Sequence, residues 1–269
     1  MLTPQISIIF LFIYSILNVG NASAQNNDIM FIVLGKMAIY NQDSESNLSL
    51  QDYIFVAEIM PKNDTEIENA TLTNKEDPSQ VYAFEKKRNA YLAYGGRYLT
   101  TEELHQNHDE GTYVFEYSTP KGVIKQEQTL RKRSNIEDMP EGKKIYLTQS
   151  GESVHPHQID PNKDLVVTWD DYTHGMSQSN SIIDDLVFVM TKNKDGSNVD
   201  HSGMPFDTKA CLSYKDKSYT IKAENLAPGL SLNLVVELAT ADAIMNNNIP
   251  AVSTYSTITS LEIKTLTIN

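Results

Sequence analysis

Cysteine is almost absent: a single thiol, Cys211, stands in 269 residues. No intramolecular disulfide can form, so the core must be large enough to hold without covalent staples. Placed before the strand-like Leu212-Ser-Tyr214, Cys211 reads as a small buried hydrophobe rather than a nucleophile. Basic residues are scarce relative to acids, 22 Lys and Arg against 35 Asp and Glu, for a net charge of −13. That field repels phosphate backbones and anionic lipid, which argues against nucleic acid and against docking on an acidic membrane surface. Catalytic signatures are missing as well. There is no phosphate loop and no dinucleotide fingerprint. Gly151-Glu-Ser-Val-His155 departs from Gly-x-Ser-x-Gly at its last position and lacks the strand–turn–helix context. The carboxylate neighbours Asp170/Asp171 and Asp184/Asp185 would face opposite sides of a strand and so cannot share a substrate.

What is present belongs to a packed protein. Hydrophobic residues make up 40% and charged residues 21%, and 14 tyrosines against one tryptophan suit strands better than helices. Residues 1–24 read as a secretory signal. The apolar run over 6–17 has the length of a signal core and is too short for a relaxed membrane span. Ala22-Ser-Ala24 supplies the small residues for cleavage after Ala24, although the segment has no Lys or Arg. The expectation is a secreted or periplasmic protein without a stable membrane anchor.

The remainder divides into an N-terminal β-sandwich domain over 26–150 and a C-terminal one over 155–269, an all-β fold. In the first, the run over 29–39 is apolar on both faces, which predicts a central or covered strand. Further strands are expected over 53–60, 67–73, 81–85, 111–117 and 123–130. Thr100-x-x-Glu103 is a capping-box pattern that predicts one short helix over 101–108. A last strand over 144–148 completes the first sheet or leads into the linker, after the charged connection Arg131-Lys-Arg133. In the second domain, Leu165, Val167 and Trp169 share a face, and Asn193-Lys-Asp-Gly196 predicts a hairpin turn after the strand over 186–190. The clearest periodicity follows: Leu230, Leu232, Leu234, Val236 and Leu238 point one way, with Ser231, Asn233 and Glu237 on the other.

Trp169, the Leu226-Ala-Pro-Gly229 turn and the closing Thr259-Ser-Leu-Glu-Ile-Lys-Thr265 together resemble a fibronectin type III or immunoglobulin-like domain. Leu232 stands where that family usually has a tyrosine, so the domain is fibronectin-like. Over most of the chain, Gly111-Thr-Tyr-x-Phe115, Ile159-Asp-Pro-x-x-Asp-Leu-x-x-Thr-Trp-Asp170 and Leu226-x-Pro-Gly229 resemble uncharacterised secreted bacterial two-domain proteins. That resemblance implies architecture and compartment, and no catalytic residues.

Three constellations could carry chemistry. His105 and His108 fall three apart on the expected helix, so both rings could reach one metal such as zinc; a solvated helix end is the favoured reading, because further ligands are lacking. His155-Pro-His157 is weighed the same way, as a linker with two histidines. Asp160-x-Asn-x-Asp164 and Asn193-x-Asp-Gly-Ser-Asn-x-Asp200 alternate oxygen side chains as calcium loops do, but neither has the bidentate glutamate, and turn chemistry accounts for both. No cofactor is therefore expected, with calcium or zinc as the alternatives. Tyr82, Tyr91, Tyr94 and Tyr98 could form a stacking platform for a ligand, against the default that they fill the core. The function expected is a non-catalytic binding or structural module, with an extracellular glycan or surface protein as partner. The alternative is a metal-dependent or carboxylate hydrolase with its site near the 101–110 helix.

Overall fold

The computed structural model describes residues 28–62, 65–134, 139–206 and 211–267, so the signal segment lies outside the described residues. The first half contributes β1 (Ile29–Gln42), β2 (Leu48–Pro61), β3 (Glu68–Asn74), β4 (Val81–Ala83), β5 (Glu85–Lys87) and β6 (Ala90–Tyr98). The helix α1 (Thr101–Asn107) and the hairpin β7 (Gly111–Thr119) and β8 (Gly122–Leu130) follow. Then come β9 (Ile145–Gln149), β10 (Glu152–Ser153), β11 (Leu165–Trp169), β12 (Leu186–Asn193) and β13 (Asn198–His201). The chain ends with β14 (Leu212–Ser213), β15 (Ser218–Ile221), β16 (Ser231–Ala239), β17 (Asp242–Asn246) and β18 (Ile249–Lys264). The fold is all-β with one short helix, and among the described residues no helix is long and apolar enough to cross a membrane.

Two sandwiches share one sheet. A ten-stranded sheet runs β13-β12-β16-β18-β1-β2-β6-β5, with β14 on β12 and β17 on β18. The small sheet β4-β3-β7-β8 packs on its β1-β2-β6 half, and the small sheet β10-β9-β11-β15 packs on its β12-β16-β18 half. In the second sandwich three main strands, β9-β11-β15, thus face β13-β12-β16-β18, a fibronectin type III-like arrangement with Trp169 in its core. The alternation of β16 explains its place there: Leu232, Leu234, Val236 and Leu238 are all buried against Val167, Trp169 and Ile221.

The seam between the halves is the parallel ladder of β1 on β18, from Ile32↔Ala251 to Gln42↔Leu261. β1 is paired on its other edge with β2; its faces are covered separately, Ile32 and Leu34 in the first core and Phe31 inside the curl of the sheet. β18 feeds both cores: Ile249, Ala251 and Tyr255 pack in the first, Leu261 and Ile263 in the second. β9 pairs with β11, so the strand just before the expected division at 150 is built into the second sandwich. Gln42 reinforces the joint, its side-chain amide donating to the Ile145 carbonyl (2.8 Å) and accepting from the Ile145 N–H (2.7 Å).

The large sheet also curls. Arg88, in the turn between β5 and β6, donates to the carbonyls of Asp195 (2.6 Å) and Gly196 (2.5 Å) in the β12–β13 turn. The two ends of the sheet therefore meet through a side chain rather than a ladder. The face turned away from the small sheets becomes concave and buries Phe31, Met60, Phe188, Met190 and Val252.

Candidate functional site

Thr100 caps the helix as expected, accepting from the Glu103 N–H (3.1 Å), while the Glu103 carboxylate reaches one residue past the cap and accepts from the Leu99 N–H (3.1 Å). Its two histidines have separate partners. His105 Nδ1 lies 2.8 Å from the Nζ of buried Lys36, and its ring packs near Tyr255. His108 lies just past the helix end, buried, and stacks flat on Phe55 with ring centroids 4.2 Å apart. Gly95 permits this, since any Cβ there would collide with both rings. Among the described residues no group of three His, Cys, Asp or Glu side chains is placed to hold a metal.

Both ring nitrogens of His108 have polar partners. Its Nε2 is 3.1 Å from the Gly95 carbonyl and 2.8 Å from the Tyr98 hydroxyl, which itself donates to that carbonyl (2.9 Å). Nε2, facing that carbonyl, is the ring nitrogen placed to donate, while Nδ1 lies 2.9 Å from the Tyr82 hydroxyl, which also donates to Gln80 Oε1 (3.0 Å). Burial, assisted by the nearby Lys36 charge, pushes His108 down to about 4. Between pH 4 and the ordinary histidine value the unfolded chain binds more protons than the folded one, so stability there rises with pH. His108→Phe is expected to remove about 3 kcal/mol of acid sensitivity between pH 7.5 and pH 4. Urea unfolding of both proteins at the two pH values checks this; parallel shifts would refute it.

The four tyrosines do not form one platform. Tyr82 and Tyr98 clamp His108. Tyr91 is buried in the first core, where its hydroxyl donates to Glu66 (2.9 Å) and accepts from the Ile67 N–H (3.0 Å). Tyr94 is half exposed on the opposite face of β6, opposite Val56 of β2. The oxygen-rich loops are turns. Asp160 accepts from the Asn162 N–H and pairs with Lys163, Asp164 holds Lys222 and the Ala223 N–H, and Asp195 caps Ser197. The rings of His155 and His157 meet edge to face, 5.4 Å apart. Asp184 and Asp185 diverge, the first to exposed Lys215 and the second inward.

Two further places were not singled out by sequence. The first is a polar cleft of about 800 Å³ at the junction of the sandwiches, between the end of β8, residues 131–134 and the loop before β12. Arg133 forms its floor. Its guanidinium donates to Asp185 (2.7 Å) and in a fork to Asp242 (2.9 and 3.1 Å), with only 9% of the side chain exposed. Gln178 also donates to Asp242 (2.9 Å), and Asp185 accepts from the N–H groups of Met176 and Ala241. Arg131, Lys132, Thr129, Ser134 and Asn180 line the walls. The second place is the interior of the curled sheet, where Glu58 and Glu237 are buried.

No known protein family matches this chain, and no curated protein matches it. Among solved structures it is similar to the titin domains Z1Z2, determined in complex with telethonin, at 10% identity and a TM-score of 0.22. That match covers 89% of this chain and 96% of the titin chain; at so low a TM-score it carries no argument. The architecture rests on the strands themselves.

Proposed function

We propose that the protein is a non-catalytic binding module, exported from the cytoplasm, that holds an acidic glycan in the cleft between its sandwiches. The cleft lining carries this reading: Arg131 and Lys132, beside the Arg133–Asp242 ion pair, stand among the hydroxyls and amides of Thr129, Ser134, Gln178 and Asn180. In a chain of net charge −13 such a basic patch is a local exception, and hydroxyl and amide groups supply the dense, directional hydrogen bonding that sugars need. The cleft's place at the junction of the sandwiches supports it too, since ligand sites favour the interfaces between packed units. The signal-like residues 1–24 support export, with Gln25 as the expected mature N-terminus.

Calorimetric titration with polygalacturonate oligosaccharides tests the reading. Binding should weaken with added salt as charges are screened. Arg131→Ala with Lys132→Ala should weaken it at least tenfold, without altering the unfolding midpoint. Equal binding of an uncharged glycan would overturn the acidic preference. Binding of a poly-glutamate peptide but of no polysaccharide would replace the glycan with a protein partner.

A further inference from the structure

The inward-curled face of the large sheet encloses a second, smaller site with no part in the cleft. Glu58 on β2 and Glu237 on β16 are separated by two strands in the sheet order, yet line one cavity of about 60 Å³ because the sheet curls. The remaining walls are mostly apolar, with Phe31, Val56, Leu186, Phe188 and Val252 around it and Pro205 at one side. Two buried oxygens in this lining, Glu58 Oε1 and Thr254 Oγ1, find no hydrogen-bond partner among the described residues. Orphaned buried acceptors are costly and rare, so they point to an occupant that donates hydrogen bonds.

Among the described residues, the charges around the cavity are out of balance by one. The Lys192 ammonium acts on both carboxyls, while the Arg88 guanidinium is held by the Asp195 and Gly196 carbonyls and repels Lys192. One ammonium cannot neutralise two buried carboxylates, so one carboxyl keeps its proton. Burial and the second carboxyl push Glu58 up to about 8, and burial pushes Glu237 up to about 7 against the opposing Ser256 hydroxyl and Lys192. A ligand bringing one positive charge and several N–H donors would complete this set.

We propose that the cavity is a binding site for a small primary alkylammonium, with its ammonium on Glu58, Glu237 and Thr254 and its short chain against Phe31, Val56 and Phe188. The ammonium offers three donors, matching the three polar groups. Its arrival ionises the carboxyl that held a proton, and that proton passes to the solvent.

Calorimetry on the full chain at pH 7.5, between the two carboxyl values, tests this with ethylamine, butylamine and hexylamine, and with butanol as the uncharged isostere. The expected result is that one of the shorter amines binds at least tenfold more tightly than butanol. Its observed heat should also change between buffers of different ionisation heat, as proton release requires. Glu58→Gln should weaken amine binding at least tenfold and reduce the proton release, and Val56→Phe, which fills the cavity, should abolish binding of every probe. Circular dichroism melts confirm that both variants fold; if one does not, Phe188→Trp replaces it as the filling variant and Glu237→Gln as the charge variant. Equal binding of butanol and butylamine, no buffer dependence, or no binding of any amine at millimolar concentration would each overturn the proposal.

Discussion

A fragment comprising residues 26–150 is expected not to fold, although it contains every strand the sequence assigns to a first domain. Its core in the intact chain is completed by Ile249, Ala251 and Tyr255 of β18. Without that strand, β1 loses the parallel ladder from Ile32 to Gln42 and becomes a long apolar edge. Such an edge exposes unpaired N–H and C=O groups and invites aggregation. Two buried glutamines of β8 lose their partners as well, since Gln126 donates to the Ile249 carbonyl (3.4 Å) and Gln128 to the Ser253 hydroxyl (2.7 Å). The complementary fragment, residues 139–269, differs in kind: its core, from Ile145 to Ile263, is drawn entirely from its own residues. It should fold alone, though less stably than the same sandwich in the intact chain, with an exposed β18 edge and with Asp185 deprived of Arg133. Amide spectra of the two fragments, with urea unfolding of each, provide the measurement. A dispersed spectrum and cooperative unfolding for 26–150 would show that the shared strand is dispensable.

Arg133→Met should lower the stability of the whole chain by about 3–5 kcal/mol, the cost of stripping a buried carboxylate of its one counter-charge among the described residues. Asp185 has no exposed side-chain surface and relies on Arg133 together with two backbone N–H groups. The same guanidinium also carries the fork to Asp242. Arg133→Lys should therefore recover less than half of the loss, because a single ammonium cannot reproduce the planar fork. Adding Asp185→Asn to Arg133→Met should restore part of it by removing the stranded charge. Urea midpoints of the four proteins decide the matter, and a loss below about 1 kcal/mol for Arg133→Met would mean that water solvates Asp185 after all.

Sequence legibility followed burial chemistry. β16 could be read because its leucines and valines alternate against a single core, and β1 because it is apolar on both faces. The helix start at Thr100 and the hairpin turn at Asn193 were legible because capping and turn chemistry are local. The first half of β18 was not. Ser253, Thr254, Ser256, Thr257 and Thr259 resemble a loop, yet all are buried. Partners far away in sequence make this tolerable: Ser253 donates to the Thr129 carbonyl (2.5 Å) and Thr257 to that of Pro140. β6 was hidden by its Gly95-Gly96 pair: a Cβ at Gly95 would collide with His108, and Gly96 takes a positive φ of 119°.

The candidate sites divide in the same way. His105, His108 and the tyrosines could be named as chemically capable residues, but only the fold shows Tyr82 and Tyr98 spent on holding His108. Arg133 looked like one of three charges in a connection until Asp185 and Asp242 came to meet it from more than fifty residues away. Glu237 was placed correctly on the side of β16 away from the leucines, where a solvated carboxylate is the natural expectation; the curl of the sheet buries it. By itself the sequence determined the all-β class, the phase of its strong strands, the helix cap and the turns, because each depends on neighbours a few residues apart. The tertiary structure alone decided that the two sandwiches share a sheet, which charges are buried, and where a ligand could sit. Those depend on strand order and sheet curvature, which bring together residues that no local pattern connects.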